Sequence, residues 1–486
     1  MAKFSLLEQP WIPVLQESRV REVGLAEALL EAHTIARIET PSPLEEAVLH
    51  RLLLAVLYRV LNGVRGGCDA LELLERGEFP RDALQGYLNR FHDRFYLFHD
   101  DAPFLQIPDL PTKDPLPWAK LLPELASGNN PTLFDHTTEE NVPLASYAQA
   151  ARALLVHQAY APGGLLKRLG VTSAKSAPLA QPTAFLALGE NLFQTLVLNL
   201  VPQKDPGMPV WELPPLRTQD VQGHATRWPL QGAARVYAWP SRGVLLLDEG
   251  SGVRQVAYGP GVEPLEVGFR DPMVAYRLGG EGQVLPLRLS VEKSFWRDFS
   301  AMLPAANGSF PATLAHAVRV AEEMGLRLEL RVLGQVSDQA KVLDVRREVY
   351  PLPQGFLSPV AEELLQKALE LAERVGNALY GVAREVARGV LGDKDQEELR
   401  RFQDSLPLLR LYWSALDGRF PRFLEGLARP DAMDRWREEV RQAALRAWEE
   451  TRAFVGTEGR HLKGLAVGER AMGLALTHAQ AREGRP

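Results

Sequence analysis

The chain runs to 486 residues, 46% of them hydrophobic and 24% charged, with a formal charge of −6. That length exceeds one ordinary hydrophobic core and predicts two or three domains of globular composition. The negative balance excludes a protein that coats nucleic acid through bulk charge, though not one that partners hold there while local cation patches make the contacts.

The opening MAKFSLLEQPWIPV lacks the charged-then-apolar pattern of a secretory leader. No later run approaches the roughly 20 apolar residues of a membrane helix, so a cytoplasmic location without membrane contact is expected. Residues 24 to 62 read as helical. Ala26, Leu29 and Leu30 lead, and Pro43-Leu44-Glu45-Glu46-Ala47 opens a second segment whose stripe is Val48, Leu52, Leu53, Val56, Leu57 and Val60. Cys68, the single cysteine, rules out an intramolecular disulfide and a cysteine-built zinc site, and is expected as a small buried apolar group. Residues 85 to 98 form an amphipathic piece ending in aromatics, and the proline-rich stretch 107 to 120 is a connection.

Residues 126 to 143 are loop by composition, with Leu133 and Phe134 standing in a polar run. The pattern predicts a helix from Leu144 to Gln158, with His157 as a satisfied core histidine. Ala161-Pro162-Gly163-Gly164-Leu165-Leu166-Lys167-Arg168 follows. Its paired glycines permit close backbone approach to a phosphate or another chain, with cations just beyond; it lacks the spacing of a Walker loop. Residues 234 to 259 read as a three-strand meander beginning at Arg235–Trp239, and residues 310 to 325 as a helix. From Leu326, apolar Leu328, Leu330 and Val332 alternate with Arg327, Glu329 and Arg331, which predicts a strand with one apolar face. Gly334 is expected to end it, and Gln335 to Lys341 to form a polar turn beside the pair Arg346-Arg347. Such a finger is either an ordinary solvated loop or an element that enters a duplex while its cations hold phosphates.

Ser358-Pro359 then starts a long helix with Leu364, Ala368, Leu371, Val375, Leu379, Val382 and Val386 on one stripe. A second helix carries Leu399 to Leu416 with a kink at Pro407, a third Trp436 to Phe454, and a fourth Leu462, Leu465, Met472 and Leu476. The fold class expected is α+β. A large mixed domain with several small sheets spans residues 1–357, and a C-terminal four-helix bundle spans 358–486.

Little in the chain points to chemistry. His92-Asp93 and His99-Asp100-Asp101 have the pairing used by metal phosphohydrolases, but such a site needs further ligands converging from other elements. Asp135-His136 with Glu139-Glu140 fits a solvated loop. There is no nucleophile elbow, no His-Glu-x-x-His and no dinucleotide fingerprint, so neither an enzyme nor a cofactor is expected.

Five segments, in order, are similar to one known family. They are Leu6-Leu7-Glu8-Gln9-Pro10-Trp11-Ile12-Pro13-Val14; Phe95-Tyr96-Leu97-Phe98-His99 with Pro103-Phe104-Leu105-Gln106; Asn130-Pro131-Thr132-Leu133-Phe134-Asp135; Ala161-Pro162-Gly163-Gly164; and Asp338-Gln339-Ala340-Lys341 with Arg346-Arg347. Together they resemble the CasA family, large subunits of the type I-E Cascade, a CRISPR surveillance complex. The resemblance implies a non-enzymatic subunit that recognises the PAM in double-stranded target DNA and starts strand separation there. It implies that the subunit touches the 5′ end of the guide RNA, steers the displaced strand, binds other Cascade subunits and recruits a helicase-nuclease. Carried over by position, Leu133, Phe134 and Asp135 fall on the family's first DNA-contacting loop, where relatives have Phe-Val-Asn, so an acid here replaces an amide. Gly163 and Gly164 fall on the glycine loop with Lys167 beyond it, and Gln339, Ala340 and Lys341 fall on the wedge with Arg346 behind. Some relatives carry cysteine pairs that look like zinc sites; this chain has none. Apart from the resemblance, two other classes remain: a metal-dependent hydrolase using His92, Asp93, His99 and Asp100, and a helical scaffold that docks partners without touching nucleic acid.

Overall fold

The computed structural model describes residues 3–61, 67–124, 143–302, 308–338, 341–392 and 394–480. The chain forms two compact units, Met1–Phe295 with Pro304–Val349, and Trp296–Leu303 with Tyr350–Pro486. The architecture is α+β: helices mixed with small sheets of two or three strands, then a helical C-terminal region.

The first unit is organised around α1 (Pro43–Val60). Ser42 caps it by accepting from Glu45 N, and Pro43 sits in its first turn. The helix is buried on almost every side, from Leu44 through Tyr58. That explains why its sequence reads as nearly continuous hydrophobicity, and why the three polar groups it buries, Glu46, His50 and Arg51, are conspicuous. Packed against it is α2 (Tyr147–Tyr160), which begins at a capping box of Ser146 and Gln149. It starts later than the pattern suggests because Ala145 is held in an antiparallel bridge to Val253.

Strands β1 (Gly164–Arg168) and β2 (Val171–Ala174) form a hairpin directly after α2. The fully buried β3 (Ala184–Leu188) follows. Strands β4 (Arg242–Asp248) and β5 (Val253–Pro260) pair antiparallel, as the meander pattern predicts. The first strand expected there, Arg235–Trp239, is instead the helical turn Ala233–Val236 and its exit. Gly232, at φ 78°, lies so close to Pro206 that a Cβ there would meet the Pro206 carbonyl carbon at 2.3 Å. Ala234 N donates to Pro206 O, and this docking overrides local strand preference.

Helix α3 (Ala312–Met324) ends at Gly325 in the left-handed conformation. It leads into β6 (Leu328–Asp338) and β7 (Lys341–Leu352), in a sheet of order β7–β6–β3. Leu328, Leu330 and Val332 are buried as the alternation predicts. The expected break at Gly334 does not occur, and the strand continues to Asp338. A Cβ on Gly334 would make only ordinary contacts, and Gln335 and Val336 are buried, so the neighbouring core supports a longer strand than local composition suggests.

In the second unit, α4 (Pro359–Leu391) is capped by Ser358 and buries Ala368, Leu371, Val375, Leu379, Val382 and Val386. Leu365 is buried where the pattern placed Leu364. The expected kinked second helix is two helices, α5 (Gln396–Ser405) and α6 (Leu408–Asp417), with Pro407 at the N-cap of the latter. A short α7 (Phe420–Glu425) precedes α8 (Ala432–Val455) and α9 (Gly459–Gln480). The buried core is aromatic. Trp296 stacks on Phe420 with centroids 4.7 Å apart, meets Trp436 edge-on, and donates its indole N–H to Asp417 at 2.7 Å.

The face that α9 buries differs from its leucine pattern. Leu462 is 52% exposed, whereas Gly464, Gly468, Met472 and Ala475 are buried. Small residues let α9 approach α4 closely: a Cβ on Gly464 would lie 2.4 Å from Val390 Cγ2 and 2.9 Å from Val386 O. Gly473, on the same helix, has nothing within 4 Å of that position. Gly464→Ala is therefore expected to destabilise the protein by about 1–3 kcal/mol through overpacking. Gly473→Ala should stabilise it by up to about 1 kcal/mol through helix propensity. Urea denaturation of the full chain measures both, and equal effects would contradict the close approach.

Candidate nucleic-acid interface

Of the residues singled out in the sequence, Leu133, Phe134, Asp135, Gln339 and Ala340 lie outside the described residues, as does the side chain of Cys68. Gly163, Gly164, Lys167, Lys341 and Arg346 are described, as are the residues flanking 125–142 and 339–340.

The glycine segment leaves the C-terminus of α2 and becomes the β1–β2 hairpin. Gly163 N donates to Ser176 Oγ at 3.2 Å, and a Cβ on Gly163 would lie 2.9 Å from both Ser176 N and Ser176 Oγ, so a side chain there must displace backbone. Gly164 pairs with Ala174 and opens the hairpin. Beyond it Leu165 is 81% exposed and Lys167 is exposed at φ 50°, while Arg168 turns back to donate to Asp114 O at 2.9 Å. The hairpin's base is held by a residue that sequence reasoning missed. Arg242 is buried, and its guanidinium donates to Pro162 O at 2.7 Å and Lys175 O at 3.0 Å, one on each side of the hairpin. Gln158 fixes Arg242 in turn, accepting from its N–H and donating to its carbonyl, both at 2.9 Å. The only signal in the sequence is an arginine opening a strand whose next residues are apolar.

The β6–β7 hairpin carries the wedge segment. Gln335, on β6 near the tip, donates to Tyr160 O at 3.2 Å and Ala180 O at 2.8 Å, which joins the wedge to the end of α2 and to the chain after β2. Lower down, the buried Glu46 of α1 accepts from Arg347 of β7 at 2.5 Å and lies 3.8 Å from Arg331 of β6. Burial pushes the Glu46 carboxyl up, and the two guanidinium groups pull it back. Arg347 also donates to Thr40 O at 2.7 Å. Arg346 is engaged too, donating to the carbonyls of Ser290, Val291 and Lys293 at 2.7, 2.9 and 3.0 Å and pairing with Asp344. Lys341, first residue of β7, is exposed.

The flanks of residues 125–142 are fixed to the same place. Glu124 accepts from Ser42 Oγ at the N-terminus of α1. Leu121 O lies 3.2 Å from His157 Nδ1 of α2, and Pro143 O accepts from the Trp118 indole at 2.8 Å. Arg152 of α2 meets Glu45 at 3.2 Å. Through Ser42, Glu45 and Glu46, the start of α1 thus holds the flank of the first loop, the helix that leads into the glycine hairpin, and both strands of the wedge.

The histidine-acid pairs are placed otherwise. His99 Nδ1 accepts from the backbone N–H groups of Asp101 and Ala102, a local turn, and His92 lies 3.4 Å from Asp93 and 3.5 Å from Glu8. Among the described residues no three His, Cys, Asp or Glu side chains gather as a metal site. His157 is buried between Leu121 O and the Tyr258 hydroxyl, and burial pushes it down to about 3. His50 and His316 are likewise pushed down to about 4 by burial.

These placements give two expectations. Glu46→Gln should destabilise the chain by about 2–4 kcal/mol, because it leaves Arg331 and Arg347 without their carboxylate, whereas Glu39→Gln, a surface change, should cost less than about 0.5 kcal/mol; urea denaturation decides. The three histidines are neutral when folded and have ordinary values when unfolded, so the unfolded chain binds more protons between about pH 6.5 and 4. Stability should therefore fall as pH drops through that window, by up to about 2 kcal/mol per histidine from pH 6.5 to 5. His157→Gln should flatten the decline; an unchanged pH profile would contradict the buried neutral state.

Comparison with known proteins finds similar sequences and structures. The family model described as CRISPR-associated protein Cse1 matches residues 5–447. The CRISPR-associated protein CasA/Cse1 of Thermus thermophilus is 62% identical, with 98% of each chain covered. The solved structure of Thermus thermophilus CasA (Cse1) superposes with a TM-score of 0.92 at 59% identity, covering 98% of this chain and 100% of that one. A chain of a CRISPR RNA-guided surveillance complex shares the fold at 21% identity and a TM-score of 0.76, covering 98% of this chain and 100% of that one. The first-unit architecture, the helical C-terminal region and these matches across nearly the whole length lead to one conclusion: the chain belongs to the CRISPR-associated Cse1 (CasA) family.

Proposed function

We propose that this chain is the non-enzymatic large subunit of a type I-E Cascade, which reads the PAM of double-stranded target DNA and begins to open the duplex for guide RNA pairing. Family membership supports its place as a subunit of a CRISPR surveillance complex, since a chain of similar fold belongs to such a complex. The observation that carries the finer reading is the tethering of first-loop flank, glycine hairpin and wedge to the first turn of α1.

In this reading the backbone at Gly163 and Gly164 approaches the minor groove, where a side chain would be blocked, and Lys167 holds a phosphate. Leu133, Phe134 and Asp135 meet the bases or backbone beside it; Asp135 can accept from an exocyclic amine but cannot donate. Gln339 and Ala340 enter next to the first base pair, Lys341 grips the strand, and Arg346 stiffens the hairpin behind them. Unstacking one step costs a few kcal/mol, which guide RNA pairing and the other Cascade subunits offset. The subunit also touches the guide RNA 5′ end, and its helical region acts as the family's four-helix bundle, steering the displaced strand and recruiting the helicase-nuclease. The location is cytoplasmic.

Reconstituted complex tests the reading. Gln339→Ala with Lys341→Ala should weaken capture of double-stranded target by at least about tenfold, near 1.4 kcal/mol, and leave single-stranded capture within about twofold. Equal losses on both would refute a wedge. Gly163→Asp should flatten binding across a PAM library, and an unchanged library profile would remove the glycine hairpin from the site.

A further inference from the structure

The helical unit contains a cleft to which the proposed function assigns no role. Between α7 and the N-terminus of α8 lies a cleft of about 280 Å³. Arg419, Arg422, Arg429 and Arg435 line it together with Phe423, Trp436, Glu425 and Glu439. Two of the four guanidinium groups are neutralised locally. Arg419 pairs with Glu439 at 2.5 Å, and Arg435 pairs with Asp431 at 2.6 Å. Arg422 and Arg429 are exposed and make no hydrogen bond or contact ion pair among the described residues, Arg429 meeting only the nearby charge of Asp431, so unpaired positive charge outnumbers the one unpaired lining carboxylate, Glu425.

The cleft reaches the start of α8 at Ala432, whose N–H donates to Arg429 O at 3.1 Å. Two unpaired guanidinium groups lining one cleft suit a multiply charged oxyanion better than a carboxylate, which one arginine satisfies. The volume admits a single nucleotide, not a run of strand, and Phe423 and Trp436 add apolar atoms to the lining.

We propose that this cleft binds a phosphate monoester of mononucleotide size. The same chemistry is offered by a free mononucleotide and by the 5′-phosphorylated end of a nucleic-acid strand.

Isothermal titration of the full chain with AMP, adenosine, inorganic phosphate and benzoate tests this, alongside a short single-stranded oligonucleotide bearing either a 5′-phosphate or a 5′-hydroxyl. AMP should bind at least about tenfold more tightly than adenosine or benzoate, and the Arg422→Ala, Arg429→Ala double variant should lose at least about tenfold with an unchanged melting temperature. Glu425→Gln should tighten AMP binding by about threefold, a gain that misfolding cannot produce. If the 5′-phosphate oligonucleotide competes with AMP and its 5′-hydroxyl twin does not, the strand end is a ligand; if neither competes, the free nucleotide is; both results uphold the site. Equal binding of AMP and adenosine, equal binding of AMP and benzoate, or full AMP affinity in the double variant would overturn it.

Discussion

A carboxylate buried in the first turn of a core helix governs the arrangement of the first unit. Glu46 could not remain ionised there alone; Arg347 and Arg331, from adjacent strands of one hairpin, make it tolerable. The converse holds for the arginines, which without Glu46 would be drawn toward water and would take the hairpin with them. A pair of this kind adds little net stability compared with a well-packed apolar core, but it has one satisfactory geometry. It therefore sets the register of the hairpin against α1 to within a hydrogen-bond length. Ser42 and Glu45 extend the same logic to the flank of the first loop and to α2.

Under the proposed function, this arrangement bears on how an acidic protein would meet DNA. Many of the cations that look available in the sequence are committed internally. Arg242 braces a hairpin, Arg51 pairs with buried Asp271 at 2.8 Å, Arg346 holds three carbonyls, and Arg347 holds Glu46. Lys167 and Lys341 remain exposed on the two hairpins. Arginine serves the fixed, multidentate contacts and lysine the solvent-facing ones, as the planar fork and the flexible ammonium respectively favour. If the proposed interface forms, so few free charges would leave its affinity to partners and its selectivity to shape.

The elements whose periodicity follows their burial were legible in the sequence: α1, the strand alternation of Leu328, Leu330 and Val332, and the Ser358-Pro359 start of α4. The misreadings share a physical cause. At Arg235–Trp239, Gly334 and the leucines of α9, a distant partner decides the conformation or the buried face: Pro206 beside Gly232, the strands flanking β6, and Val386 and Val390 against Gly464. Local composition carries no trace of those contacts. For the site, the glycine and wedge segments stood out because polar and glycine-rich stretches interrupt apolar patterns. Their supports did not, because Arg242, Gln158 and Gln335 act through backbone carbonyls far away in the chain. The family resemblance carries the order of the loops, and the packing around α1 shows what anchors them.

The eight-residue stretch Trp296–Leu303 belongs by its packing to the helical unit, although the chain returns to the first unit before the long helices begin. The backbone therefore passes from one unit to the other three times. A fragment cut at Tyr350 would lack Trp296, the indole that Phe420, Trp436 and Asp417 enclose. The helical unit is in this sense an insertion and a tail knitted together, not an appendage. Its cooperative melting is bound to the integrity of both stretches, and any natural or engineered exchange of this region between relatives has to carry the tryptophan along.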